Sequence, residues 1–195
     1  MDADPVELRV LGCLIEKQRT TPDQYPLSLN SIRLACNQST NREPVVDYDE
    51  TTVRDALRTL SERGWVRLAS GPGSRAAKYR QLFDEALHLD GAETALLAGL
   101  MLRGPQTPGE LKTRTERLHR FESTSAVEQA LERLIDREYA VRLERRPGQK
   151  EERYAQLVGG GGEETTVEAP SVDRSLEERV ARLEAEVAEL RERLG

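Results

Sequence analysis

Between Thr51 and Leu82 the chain places Val53, Ala56, Leu57 and Leu60 where one face of a helix would carry them. Two short strand-like runs follow, separated by Gly71-Pro72-Gly73. The pattern then recurs. Val127, Ala130, Leu131 and Leu134 repeat the helix face 74 positions later, and Tyr139 repeats Trp65. A single inserted residue shifts the offset to 75, so that Pro72-Gly73, Tyr79, Gln81 and Leu82 match Pro147-Gly148, Tyr154, Gln156 and Leu157. An offset kept through so many positions argues for duplication of one structural unit.

Each unit is preceded by two further helical patterns. Asp4-Pro5-Val6-Glu7 has the residues of a capping box with proline at the first helical position. The helix it opens is predicted to run to about Lys17 and to bury Leu11, Leu14 and Ile15. Thr21-Pro22-Asp23-Gln24 resembles a second start, but Pro26 interrupts it. A helix from Ser28 to about Asn37 is followed by a polar linker, Asn37 to Pro44, and a third helix over about 49–63 ends at Gly64.

In the second half, residues 86–90 are expected to act as a connector before the capping box Asp90–Glu93. That box opens a helix stopped by Gly104-Pro105. Thr107 to Glu110 caps the next helix, expected to hold Leu111 and Leu118, and Ser123 caps the third. Glu138 stands where the first repeat has Gly64; a left-handed conformation there would cost on the order of 1 kcal/mol.

Three helices and a hairpin, twice over, predict a mainly α chain with small β-hairpins: two tandem winged helix-turn-helix domains, over 1–85 and 86–158. Four glycines from Gly159 and the acids after them mark a flexible linker over 159–173. Over 174–195, Leu176, Val180, Leu183, Val187, Leu190 and Leu194 alternate at spacings of four and three. Valine at one seam position and leucine at the other favours a parallel two-stranded coil, so a homodimer paired through this C-terminal helix is expected.

Charge changes the functional picture. The net charge is −6, but residues 158–195 carry ten acids and five bases, which leaves −1 for residues 1–157. Attraction to nucleic acid must therefore come from local patches. Cys13 and Cys36 lack any CxxC spacing and read as buried small hydrophobes in a reducing cytosol. No signal peptide and no apolar run near the roughly 18 residues of a membrane span are present, so a cytoplasmic protein without membrane attachment is expected.

The residues argue against an enzyme. His88 and His119 have no carboxylate or cysteine at metal-ligand spacing, and no cofactor is implied. Gly71-Pro72-Gly73-Ser74 lacks the lysine and following helix of a phosphate-binding loop and reads as a hairpin tip.

The run from Leu11 to Glu50, with VRDALRTLSERGWVR and the GPGSRAAKYR hairpin after it, resembles the bacterial YceH family. LLAGLMLRGPQTPGELKTRTERLHRF through RRPGQKEERY continues the likeness, which spans about residues 5–157. The resemblance implies two tandem winged helices and no established biochemical function. Glu138 departs from the glycine-aromatic pair usual after the third helix, and the tail contributes least.

Winged helices most often bind double-stranded DNA, with the third helix in the major groove and the wing on phosphate. In the first domain Thr51, Thr52, Arg54 and Arg58 would read the groove. Gln38, Asn41 and Arg42 in the turn, and Arg75 and Lys78 in the wing, would meet the backbone. In the second domain Glu128, Gln129, Glu132, Arg133 and Asp136 give the corresponding helix an acidic surface, while Arg145, Arg146 and Lys150 make its wing basic. The expectation is a DNA-binding or transcription-regulating protein that reads through domain 1. The alternative is a scaffold whose winged helices dock a protein partner, domain 2 first, as in chromosome-condensation complexes.

Overall fold

The computed structural model describes residues 3–69, 77–143 and 151–159. The linker expected over 159–173 therefore lies outside the described residues except for Gly159, and the heptad helix over 174–195 lies wholly outside them. The described chain is mainly helical, with two small antiparallel sheets.

Helix α1 (Pro5–Thr20) starts on the expected capping box, Asp4 Oδ1 accepting from Glu7 N at 2.8 Å and Glu7 Oε2 from Asp4 N at 3.1 Å. It runs past Lys17 to Thr20, where the hydroxyls of Thr20 and Thr21 add hydrogen bonds to the carbonyls of Glu16 and Lys17. A single 3-10 turn covers Pro22–Gln24. Strand β1 (Leu27–Ser28) ends on the Ser28 cap of α2 (Leu29–Cys36), and Asp49 caps α3 (Glu50–Glu62). Strands β2 (Val66–Leu68) and β3 (Lys78–Gln81) complete a sheet of order β1-β3-β2.

The residues expected to connect the halves instead include a helix, α4 (Phe83–Leu87). Its start is fixed by the buried Gln81, whose Oε1 accepts from Phe83 N at 2.7 Å and whose Nε2 donates to Gln18 at 2.6 Å. Phe83 is fully buried, edge-on to Trp65 with ring centroids 5.2 Å apart.

Helix α5 (Gly91–Arg103) repeats the capping-box start, and α6 (Pro108–Arg114) follows on Thr107 and Glu110. Helix α6 stops at Arg114, so Leu118 lies in the turn beyond it. Helix α7 (Thr124–Asp136) and the hairpin of β4 (Ala140–Leu143) and β5 (Arg153–Gln156) close the second half.

The duplication is visible bond by bond. Val66 pairs with Gln81 in one hairpin and Ala140 with Gln156 in the other. Trp65 N donates to Leu60 O, as Tyr139 N does to Leu134 O; Leu82 N donates to Trp65 O, as Leu157 N does to Tyr139 O. Even β1 has a counterpart, a single bridge between Gln106 and Tyr154. Glu138 takes the left-handed φ of 59° that Gly64 takes at 74°. Glu138→Gly should therefore stabilise the chain by about 1 kcal/mol, read as a higher urea midpoint at unchanged slope.

From Ala95 to Leu102 helix α5 is apolar on every side, which a helix tolerates only when it is enclosed. It packs against α1 on one side and against α6 and α7 on the other. Close approach is possible because Gly12 and Gly99 lack side chains: a Cβ on Gly12 would lie 3.0 Å from Leu102, and one on Gly99 2.8 Å from Thr115. The buried residues of both halves accordingly form one continuous core across residue 85.

Candidate nucleic-acid interface

Helix α3 buries Val53, Ala56, Leu57 and Leu60 and leaves Thr51, Arg54, Asp55, Arg58 and Glu62 exposed, with Thr52 half-buried. Its entry is held by Asn37, which accepts from Tyr48 N at 2.9 Å and donates to Tyr48 O at 2.8 Å. Asp49 Oδ1 accepts from Thr52 N at 2.7 Å, and that bond, with others from Thr52 and Thr51, holds the Asp49 carboxyl below the usual carboxylate range. Capping thus accounts for the acid at Asp49, while Asp47 accepts from Asn37 at 3.2 Å.

The two arginines of α3 lie in ion pairs along the same helix. Arg54 is 3.7 Å from Glu50, and Arg58 is 3.2 Å from Asp55. All four side chains are more than half exposed, so each pair contributes only tenths of a kcal/mol and is readily exchanged for another anion. Lys78 is exposed at the start of β3, and Arg67 is exposed on β2. Arg75 lies outside the described residues, as do Arg145, Arg146 and Lys150.

The turn residues differ from the sequence expectation. Arg42 was expected to face phosphate, but it is 4% exposed, and each of its five N–H groups meets an acceptor. Two go to the Glu16 carboxylate, at 2.6 and 3.2 Å, and the others to Ala35 O, Asn41 O and Gln38 Oε1. Burial opposes the charge of Arg42, but the Glu16 hydrogen bond and the neighbouring charges together set its pKa above the usual arginine value. A saturated, buried guanidinium cannot contact DNA. Gln38 accepts from Arg42 and, at 3.5 Å, from Lys17 of α1, while Asn41, at φ 60°, stays exposed and accepts from Arg103 of α5.

The second repeat uses its arginines differently. Arg133 bridges Asp90 at 3.0 Å and Glu93 at 3.2 Å, while Arg137 meets Glu93 at 3.3 Å and the carbonyl of His88. Glu93 is 4% exposed, so these pairs tie α7 to the start of α5. Arg142 is held by Glu132 and, at 3.4 Å, by Glu152. Glu128, Gln129, Glu132 and Asp136 remain exposed, as the sequence implied. Among the described residues, no helix is long and apolar enough to cross a membrane. Cys13 and Cys36 are both free and buried.

A duplicated, mainly helical unit with an exposed, charged third helix in each copy defines the class of protein. Residues 3–149 match the family described as a protein of unknown function, DUF480, and the chain belongs to that family. It is 50% identical over 198 aligned residues to the UPF0502 protein YceH of Salmonella paratyphi B, covering 96% of this chain and 92% of that protein. The YceH proteins of Salmonella newport and Salmonella heidelberg are similar to the same extent.

Proposed function

We propose that the chain is a DNA-binding regulatory protein built from two tandem winged helices, with the first as the reader. The observation that carries this reading is the solvent face of α3. Thr51, Arg54 and Arg58 stand clear of the core there, and their acidic partners are weakly held. In this reading α3 enters the major groove, the two arginines reach guanine edges or phosphate, and the β2–β3 hairpin with Lys78 follows the backbone. A coil over Leu176 to Leu194 would pair two readers.

A second reading applies to the other repeat. Its Arg133 on α7 and Arg137 just beyond it are committed to Asp90 and Glu93, and its remaining exposed face is acidic. That surface would repel phosphate and suits a basic segment of a protein partner.

Titration of labelled duplex DNA over a range of salt concentrations tests the first reading. The double variant Arg54→Ala/Arg58→Ala should lose at least ten-fold in affinity and lower the salt slope by about two. Arg133→Ala should leave both unchanged. No binding by the full chain at low salt would remove the DNA reading and leave protein docking.

A further inference from the structure

The helix ends of the two repeats enclose a cavity of about 440 Å³. Its walls come from the last turns of α1, the loop 38–41, the end of α5, and the end of α6 with the turn beyond it. The size falls within the roughly 300–1,000 Å³ of small-molecule sites.

Lys17, Arg103, Arg114 and Arg117 all line it, against one carboxylate, Glu16. Glu16 is already held by Arg42 at 2.6 Å, and Lys17 reaches it only at 3.9 Å. Arg114 has its own counter-charge in Glu110 at 3.0 Å. Lys17, Arg103 and Arg117 remain in excess; Arg117 makes no ion pair among the described residues.

Helix dipoles offer a competing explanation, because α1, α5 and α6 all end here. Each end carries about half a negative charge, which together offsets about half of the three surplus cations. Arg117 also lies beyond the last turn of α6, where it does little for that helix. Burial, and then the neighbouring Arg114, hold the Arg103 pKa below the usual arginine value, as expected of a cation short of counter-charge.

We propose that this cavity binds a small, non-aromatic phosphate ester, with its phosphate held by Lys17, Arg103 and Arg117. Guanidinium groups match phosphate oxygens in pairs, which fits arginine at two of the three positions. Thr20, Thr21, Ser39 and Thr40 supply hydroxyls for a polyhydroxylated remainder. Among the described residues no aromatic ring lines the cavity, so a nucleobase would find no stacking platform. Loop 38–41 leads into the segment that caps α3, so a bound ester would brace the start of that helix. This corollary rests on the DNA reading; the binding itself does not.

The test uses the full chain without DNA, by thermal melting and isothermal titration calorimetry at fixed ionic strength. Ribose 5-phosphate at saturation should raise Tm by at least about 3 °C, and ribose should not. Arg103→Gln and Arg117→Gln should each weaken binding at least ten-fold, while Arg54→Ala on α3 leaves it unchanged. The proposal is overturned by no shift, by an equal shift with ribose or matched chloride, or by binding retained in both arginine variants. A shift from inorganic phosphate as large as that from the ester overturns the assignment to an ester.

Discussion

Glu16→Ala is expected to cost about 3–5 kcal/mol of stability and to lower Tm by roughly 10 °C. The carboxylate accepts two of the five hydrogen bonds made by Arg42, whose side chain is wholly shielded from solvent. Removing it leaves a buried guanidinium with no counter-charge. Arg42→Ala should lose a similar amount, since it strips the partners of Ala35 O, Asn41 O and Gln38 at once. Urea midpoints measure both. A Tm within 2 °C of the parent would show that water reaches the pair and that Arg42 is less confined than its contacts imply. The result also separates two roles for the turn: a DNA contact at Arg42 would weaken binding while leaving stability alone, whereas a structural arginine does the reverse.

Phe83→Ala should be comparably damaging, at about 3–5 kcal/mol. The ring is fully buried and meets Trp65 edge-on, and it anchors α4 where the chain passes from one repeat to the next. Phe83→Leu keeps most of the volume and should lose less than half as much. If both substitutions cost the same, the aromatic pairing rather than the filled volume would be what matters. Tryptophan fluorescence reports on the same site, because Trp65 is the only tryptophan in the chain.

The helices were readable because their signals are local. Capping boxes at Asp4 and Asp90 need only residues three apart, and both form as the spacing required. The repeat offset predicted matching hairpins, and the registers Val66–Gln81 and Ala140–Gln156 agree with it. The left-handed turn at Glu138 followed from its alignment with Gly64. Helix α4 was missed because its cap comes from the side chain of Gln81, two residues before Phe83, and not from a usual capping residue. The strand β1 is two residues long, too short for any alternation to show.

The candidate interface was legible in part. Exposure of Thr51, Arg54 and Arg58 followed from helical periodicity, since a helix that buries one face must present the other. The fate of Arg42 did not, because a polar loop looks the same in sequence whether its charges meet water or the back of another helix. The cationic cavity was equally hidden. Its residues Lys17, Arg103 and Arg117 are ordinary charges at helix ends when read singly, and they come together only because α1 packs on α5.

By itself, then, the sequence determined the elements other than α4 and β1, and their duplication, because caps, periodicity and turn residues act over a few positions. Only the tertiary structure decided which charges are spent and which are available. Arg42, Arg133 and Arg137 close internal ion pairs, while Arg54 and Arg58 face solvent and Arg117 faces a shared cavity. The physical reason is that the worth of a charge depends on its burial and its partners, and both are set by segments far away along the chain.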